Sequence, residues 1–244
     1  MFDVVCPGRV CVVRVVKEGI TQALQRLRVS YIDVLMAHAP PVPAASWQAM
    51  EEAVRSGQAR SLGVSNFDKS QGREQLVALM SSATIPPAVA QYESHPYQPN
   101  DAMAALCEEL GLQVMASSPL GAPHKVGAYL SRQRSAGREV DDASKLVLAN
   151  AAVTAVAQEL GCTAGQAVLR WGIQRGHTVI PKSFAPHPHT HLQENFAAWV
   201  EQQEHQPLSE AQMASLSSLG RGLRATALYN QPVQQGGGGG CTVA

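Results

Sequence analysis

The chain has no CxxC pair, no apolar run of about 18 residues, no excess of either charge and no GxGxxG. Each absence removes a class of protein. The five cysteines (Cys6, Cys11, Cys107, Cys162, Cys241) are odd in number and spaced for neither a zinc site nor a small disulfide scaffold. A reducing compartment and a cytoplasmic location are therefore expected. Without a long apolar run, no membrane span is expected. Lys and Arg total 19 against 19 Asp and Glu, and the pI is 7.1, so nothing draws the chain to nucleic acid or an anionic membrane. A Rossmann dinucleotide fold would want GxGxxG after its first strand. The start, MFDVVCPGRVCVVRVV, is apolar and carries Arg9 and Arg14, but it lacks a clean cleavage site and is not read as a signal peptide.

What is present is a chain of 244 residues, 45% hydrophobic and only 16% charged. That suffices for one large α/β domain or two small ones. Short apolar runs (IDVLMAH, RSLGVSN, AVAQYES, LQVMASS, HTVIPKS) alternate with helix-like stretches. SWQAMEEAVRSG follows Pro43 and stops at Gly57, and NDAMAALCEELG runs from Asn100 to Gly111. Thr163 with Gln166, and Ser209 with Gln212, stand at capping-box spacing.

Continuous apolar runs joined by helices predict buried parallel strands, because each crossover needs a helix to return the chain. Five such units favour part of a (β/α) barrel over a doubly wound sheet. Residues 1–16 supply at most one more strand, FDVVC or RVCVVRVV. The polar stretch 121–145 reads as a long loop, which at that face of a barrel is more often functional than idle. From 221 the chain reads as a tail, Gly-rich and disordered from 231.

His38 ends the apolar run YIDVLMAHAPP, just before two prolines. A lone histidine at a strand exit is more often structural than catalytic. The later strand ends change its setting. GVSNF (63–67), QYESHPY (91–97), SPLG (118–121), VIPKS (179–183) and ENF (194–196) occur in an order and at intervals that resemble the aldo-keto reductase family. The likeness runs from about residue 17 to 220, leaving 1–16 as an unmatched segment. It implies an incomplete (β/α)8 TIM-type barrel with five to six of the eight strand–helix units, NADP(H) or NAD(H) as cofactor, and reduction of a small-molecule aldehyde or ketone. Binding residues are then expected at the C-terminal ends of strands, where these motifs lie.

By that resemblance His38 faces the substrate carbonyl, and Ser65, Asn66 and Gln91 hold the nicotinamide carboxamide. A hydroxyl and two amides can offer an amide ligand both donors and acceptors. Ser118 and Leu120 lie along the pyrophosphate and ribose, Lys182 and Ser183 meet the adenosine phosphates, and Glu194 and Asn195 face the adenine. The alternatives are plainer: Ser65–Asn66 as a helix cap, Lys182 as a solvated loop lysine, Glu194–Asn195 as a cap of the next helix.

Three departures alter the implied cofactor site. Ser117 stands where the family stacks a tyrosine on the nicotinamide, a loss of order 1 kcal/mol. The segment FAPHPHTHLQ is longer than the family spacing. His191 falls where an arginine clasps the 2′-phosphate, and an imidazole makes no bidentate clamp, which leaves NADP and NAD both open. His187, His189 and His191 alternate, but no Cys or carboxylate cluster completes a metal site, so a Pro-stiffened loop insertion and no metal are expected.

The family's proton donor is a tyrosine with a lysine and an aspartate, and none has a counterpart before His38. Tyr31 lies in the strand leading to His38, Lys17 in a helix, Asp3 far from any tyrosine, and Ala39 replaces the tryptophan of HWP. Three readings follow: a reductase catalytically incomplete as this chain, a non-catalytic dinucleotide-binding or regulatory protein, or an N-terminally truncated gene product.

Overall fold

The computed structural model describes residues 2–4, 13–68, 71–123, 135, 146–183, 188–204 and 207–220. They form two compact units, one of residues 2–92 and 101–115, the other of 93–100 and 116–220. The loop read at 121–145 lies outside the described residues beyond 123, apart from Ser135, and so do the tail 221–244 and His187.

In the first unit β1 (Phe2–Val4), β2 (Ile32–Ala37), β3 (Ala59–Ser65) and β4 (Val89–Glu93) pair in parallel and in chain order. The register sets Phe2 opposite Leu35, Met36 opposite Gly63, and Gly63 opposite Val89. β5 (Gln113–Ser117) joins next, Gln113 N–H donating to the Ala88 carbonyl at 2.9 Å. The returns are α1 (Val13–Leu27), α2 (Ala44–Arg55), α3 (Gly72–Ser82) and α4 (Asp101–Glu109).

Sequence pattern explains these elements. Leu35, Met36 and Ala37 are consecutive and all buried, as a strand covered on both faces requires. α1 buries Val16, Ile20 and Ala23, spaced i, i+4, i+7 on one stripe. Gly63 is needed for close approach: a Cβ there would lie 3.0 Å from Met36 Cγ and 3.1 Å from the Val89 carbonyl oxygen. Around them Trp47, Leu62, Leu76, Tyr92 and Cys107 complete the core.

Cys107, on α4, is fully buried, and burial pushes its thiol up to about 11 from an ordinary 9.0. It should therefore resist iodoacetamide at pH 8 in the native chain and react once urea unfolds it, as peptide mapping would show. The folded state keeps the proton to a higher pH than the unfolded chain. Its contribution to stability is thus complete below pH 9 and is lost as pH climbs from 9 towards 11.

The second unit contains the end of β5 and β6 (Thr178–Val179), with Ile180 N–H donating to the Ala116 carbonyl at 3.2 Å. β6 is shorter than the run HTVIPKS predicts, since Pro181 has no N–H with which to extend a ladder. Its helices are α5 (Ala151–Glu159), α6 (Ala164–Gln174), α7 (Pro188–Glu204) and α8 (Glu210–Ser217). Both predicted capping boxes form, Thr163–Gln166 on α6 and Ser209–Gln212 on α8. Tyr97, Val153, Trp171, Leu208 and Leu216 belong to its core.

Six strands are thus present among the described residues, fewer than the eight of a closed (β/α)8 barrel. FDVVC, not RVCVVRVV, supplies the first, because Val13 already opens α1. Among the described residues no helix is long and apolar enough to cross a membrane.

Candidate functional site

The first unit gathers four of the predicted residues at the C-terminal ends of β2, β3 and β4. Asn66 adopts φ +63, a left-handed conformation that asparagine tolerates better than most residues. That turn aims its Nδ2 at the His38 carbonyl (2.8 Å) and at Ser65 Oγ (3.1 Å), while its own N–H donates to the Gln91 carbonyl (2.9 Å). Ser65 Oγ donates to Gln91 Oε1 at 3.0 Å, and Gln91 Nε2 reaches Met115 Sδ at 3.6 Å. Ser65 and Gln91 are buried, whereas His38 and Asn66 are half-buried.

This network disposes of the cap alternative for Ser65–Asn66. α3 starts only at Gly72, its N-cap is Gln71, and Asn66 spends its amide on β2 instead. The network also joins His38 to the other three through its main chain, a link no motif announced.

In the second unit a cavity of about 640 Å³ opens where the chain leaves β5 and β6. Ser118, Leu120, Lys182, Glu194 and Asn195 line it, five residues nominated by three separate short motifs, and so does His191, which stands at the expected arginine position. Ser183 stands just behind, its Oγ accepting from Asn195 Nδ2 at 3.3 Å. The loop after β5 is bent by positive φ at Ser118 (+48), Gly121 (+71) and Ala122 (+45), which turns Leu120 and Ala122 to the cavity wall.

One expectation and one alternative about α7 need correction. The histidine run does not form a loop insertion from 188 onward, because Pro188 begins the helix, a position whose missing N–H costs nothing. His189 and His191, two residues apart on a helix, face different directions and do not converge on one ion. Glu194 and Asn195 then fall in the second turn of α7, so they cannot serve as its N-cap.

The cavity also has walls that sequence reasoning missed as site residues. Thr163 to Gln166, at the N-terminus of α6, line it, as do Pro123, Leu148 and Ile180. The capping box was a legible signal for that helix end. It marked where the helix starts and said nothing of what the start would face. A lysine, a helix start, a carboxylate and an amide thus stand around an apolar floor.

A parallel strand–helix repeat with polar residues gathered at the strand ends is the arrangement of a (β/α) barrel protein. Comparison with known proteins is specific: the profile of the aldo/keto reductase family matches residues 14–221, and the chain belongs to that family. An aldo-keto reductase from Mycobacterium sp. (strain KMS) is 36% identical over 207 residues, 83% of this chain and 62% of that protein. Glycerol 2-dehydrogenase (NADP(+)) of Hypocrea jecorina is 32% identical over 207 residues, 74% of this chain and 58% of its own length. The crystal structure of a Bombyx mori aldo-keto reductase in complex with NADP superposes with a TM-score of 0.67 at 27% identity, covering 85% of this chain and 64% of that one. The chain therefore spans less than two thirds of the length of each.

Proposed function

We propose that the cavity of the second unit binds the adenosine phosphate end of NADP(H) or NAD(H), and that the chain takes part in reducing an aldehyde or ketone to an alcohol. The observation that carries this reading is the convergence of five motif residues on one cavity of about 640 Å³ with Lys182 among them. Lys182 supplies the cation for a phosphate, Glu194 and Asn195 the acceptor and donor for an adenine edge, and Leu120 an apolar wall. In the first unit we assign a carboxamide to Asn66, whose Nδ2 is engaged by the His38 carbonyl and Ser65 Oγ and whose Oδ1 would accept from it. When bound, the cofactor supplies a hydride, and a protein acid must then protonate the alkoxide that forms.

That last requirement favours binding without turnover by the chain alone. Tyr31 lies at the start of β2 and His38 beyond its end, roughly 20 Å apart along an extended strand. The Tyr31 ring sits under the Arg60 guanidinium, 3.8 Å from its centroid, and Lys17 is paired with Glu52 at 2.6 Å. Neither is placed to serve as the acid beside His38. Among the described residues ahead of His38 this placement supports a second reading, a dinucleotide-binding protein that does not itself complete the reaction.

Titration of the full chain with NADPH and with NADH, by nicotinamide fluorescence or calorimetry, tests both points. Saturable binding is expected, with Lys182→Ala weakening it about tenfold through loss of a charge-assisted phosphate contact. With His191 at the cavity instead of an arginine, the two dinucleotides should bind within about tenfold of each other. Absence of any binding by the wild-type chain would sink the reading, and saturable NADPH oxidation with simple aldehydes would overturn the non-catalytic part.

A further inference from the structure

Gln166 does two jobs with one side chain. Its Oε1 accepts from the Thr163 N–H at 2.9 Å, closing the capping box of α6. Its Nε2 donates to the Glu194 carbonyl at 3.3 Å, 28 residues away on α7. The residue is 8% exposed and lines the same cavity as Glu194 and Asn195. A capping box needs only the acceptor half of this amide; a glutamate would fill that place as well. The donor half is therefore available to hold something else, and what it holds is the turn of α7 that carries two cavity residues.

Other contacts hold that turn as well. The Glu194 carbonyl is tied to Gln166, Asn195 donates to Ser183 at 3.3 Å, and Ala198 is buried one turn on. On the opposite side α7 presents Leu192, Phe196 and Trp199, all more than half exposed.

We infer that Gln166 is a positioning residue: by bridging the start of α6 to the Glu194 carbonyl it sets where Glu194 and Asn195 stand in the cavity. It acts through the backbone of α7 and through the rigidity of the capping box, which holds the amide in one orientation. The consequence for affinity rests on the dinucleotide reading, whereas the positioning itself does not.

Gln166→Glu separates the two jobs. The glutamate keeps the acceptor for the Thr163 N–H and adds a favourable charge at a helix start, so α6 should be unharmed. It removes the donor and sets an oxygen against the Glu194 carbonyl. In the free chain, amide hydrogen exchange is expected to rise at least about tenfold over residues 192–198, the factor that one lost hydrogen bond represents, and to stay unchanged in α6. NADPH affinity should fall by about the same factor, and Gln166→Met, which adds no charge, should weaken it at least as much.

Unchanged exchange over 192–198 would overturn the inference, and so would an affinity loss in Gln166→Glu that Gln166→Met does not share. Should the wild-type chain bind no dinucleotide, the proposed function fails, while the exchange result still decides whether Gln166 positions the turn. Gln166→Met removes both halves of the amide and is expected to lower protection in α6 as well.

Discussion

Trp171→Ala is expected to destabilise the second unit by about 4 kcal/mol, the cost typical of deleting a large buried aromatic. Trp171 is 1% exposed on α6 and belongs to the core built with Val153, Val156 and Leu216. Its ring is held at two further points. Nε1–H donates to Ser217 Oγ at 2.9 Å on α8, and the Arg175 guanidinium stands 4.6 Å from the ring centroid. Truncation therefore leaves a cavity and also takes the tie to α8 away. Trp171→Phe should cost about half as much, because it keeps most of the volume and loses only the donor. Urea unfolding followed by circular dichroism measures both. A loss below about 1 kcal/mol for the alanine variant would be incompatible with a fully buried ring.

Gly121→Ala is expected to cost about 3 kcal/mol, from two sources that a second substitution separates. Gly121 has φ +71, where any Cβ is strained, and a Cβ at this position would lie 2.7 Å from Val147 Cγ2. The first penalty is local to the backbone, while the second depends on the neighbour. In the pair Gly121→Ala with Val147→Ala the collision disappears and the strain remains. The two changes should thus be less damaging together than the sum of each alone, with a coupling of about 1–2 kcal/mol in a double-mutant cycle. Strict additivity would mean that the loop yields and Val147 is not its limit. Because Leu120 and Ala122 flank this glycine on the cavity wall, Gly121→Ala should also weaken nucleotide binding by more than about tenfold, even in the folded fraction.

Much of this molecule was legible because its signals are local. The apolar runs reappear as β2 to β5 and a shortened β6, and both capping boxes formed where Ser or Thr precedes Gln by three residues. Pro188 shows the limit. Proline and alternating histidines suggested a loop, yet proline at a first helical position is as good a start as any, and local composition cannot tell the two apart. The same limit applies to Gln166, whose acceptor half was readable from spacing. Its donor half depends on a carbonyl 28 residues on, which no periodicity encodes.

By itself the sequence determined the strand–helix repeat, the absence of a Rossmann fingerprint, and the short motifs by which the chain is matched to aldo/keto reductases, since those depend on residue type and spacing along the chain. Only the tertiary structure decided that Asn66 spends its amide on the His38 carbonyl, that five motif residues line one cavity, and that Gln166 reaches across to α7. The physical reason is that a side chain with two hydrogen-bonding ends is half specified by its own helix or turn. Its other end is settled by whichever backbone group the packing brings within 3.5 Å.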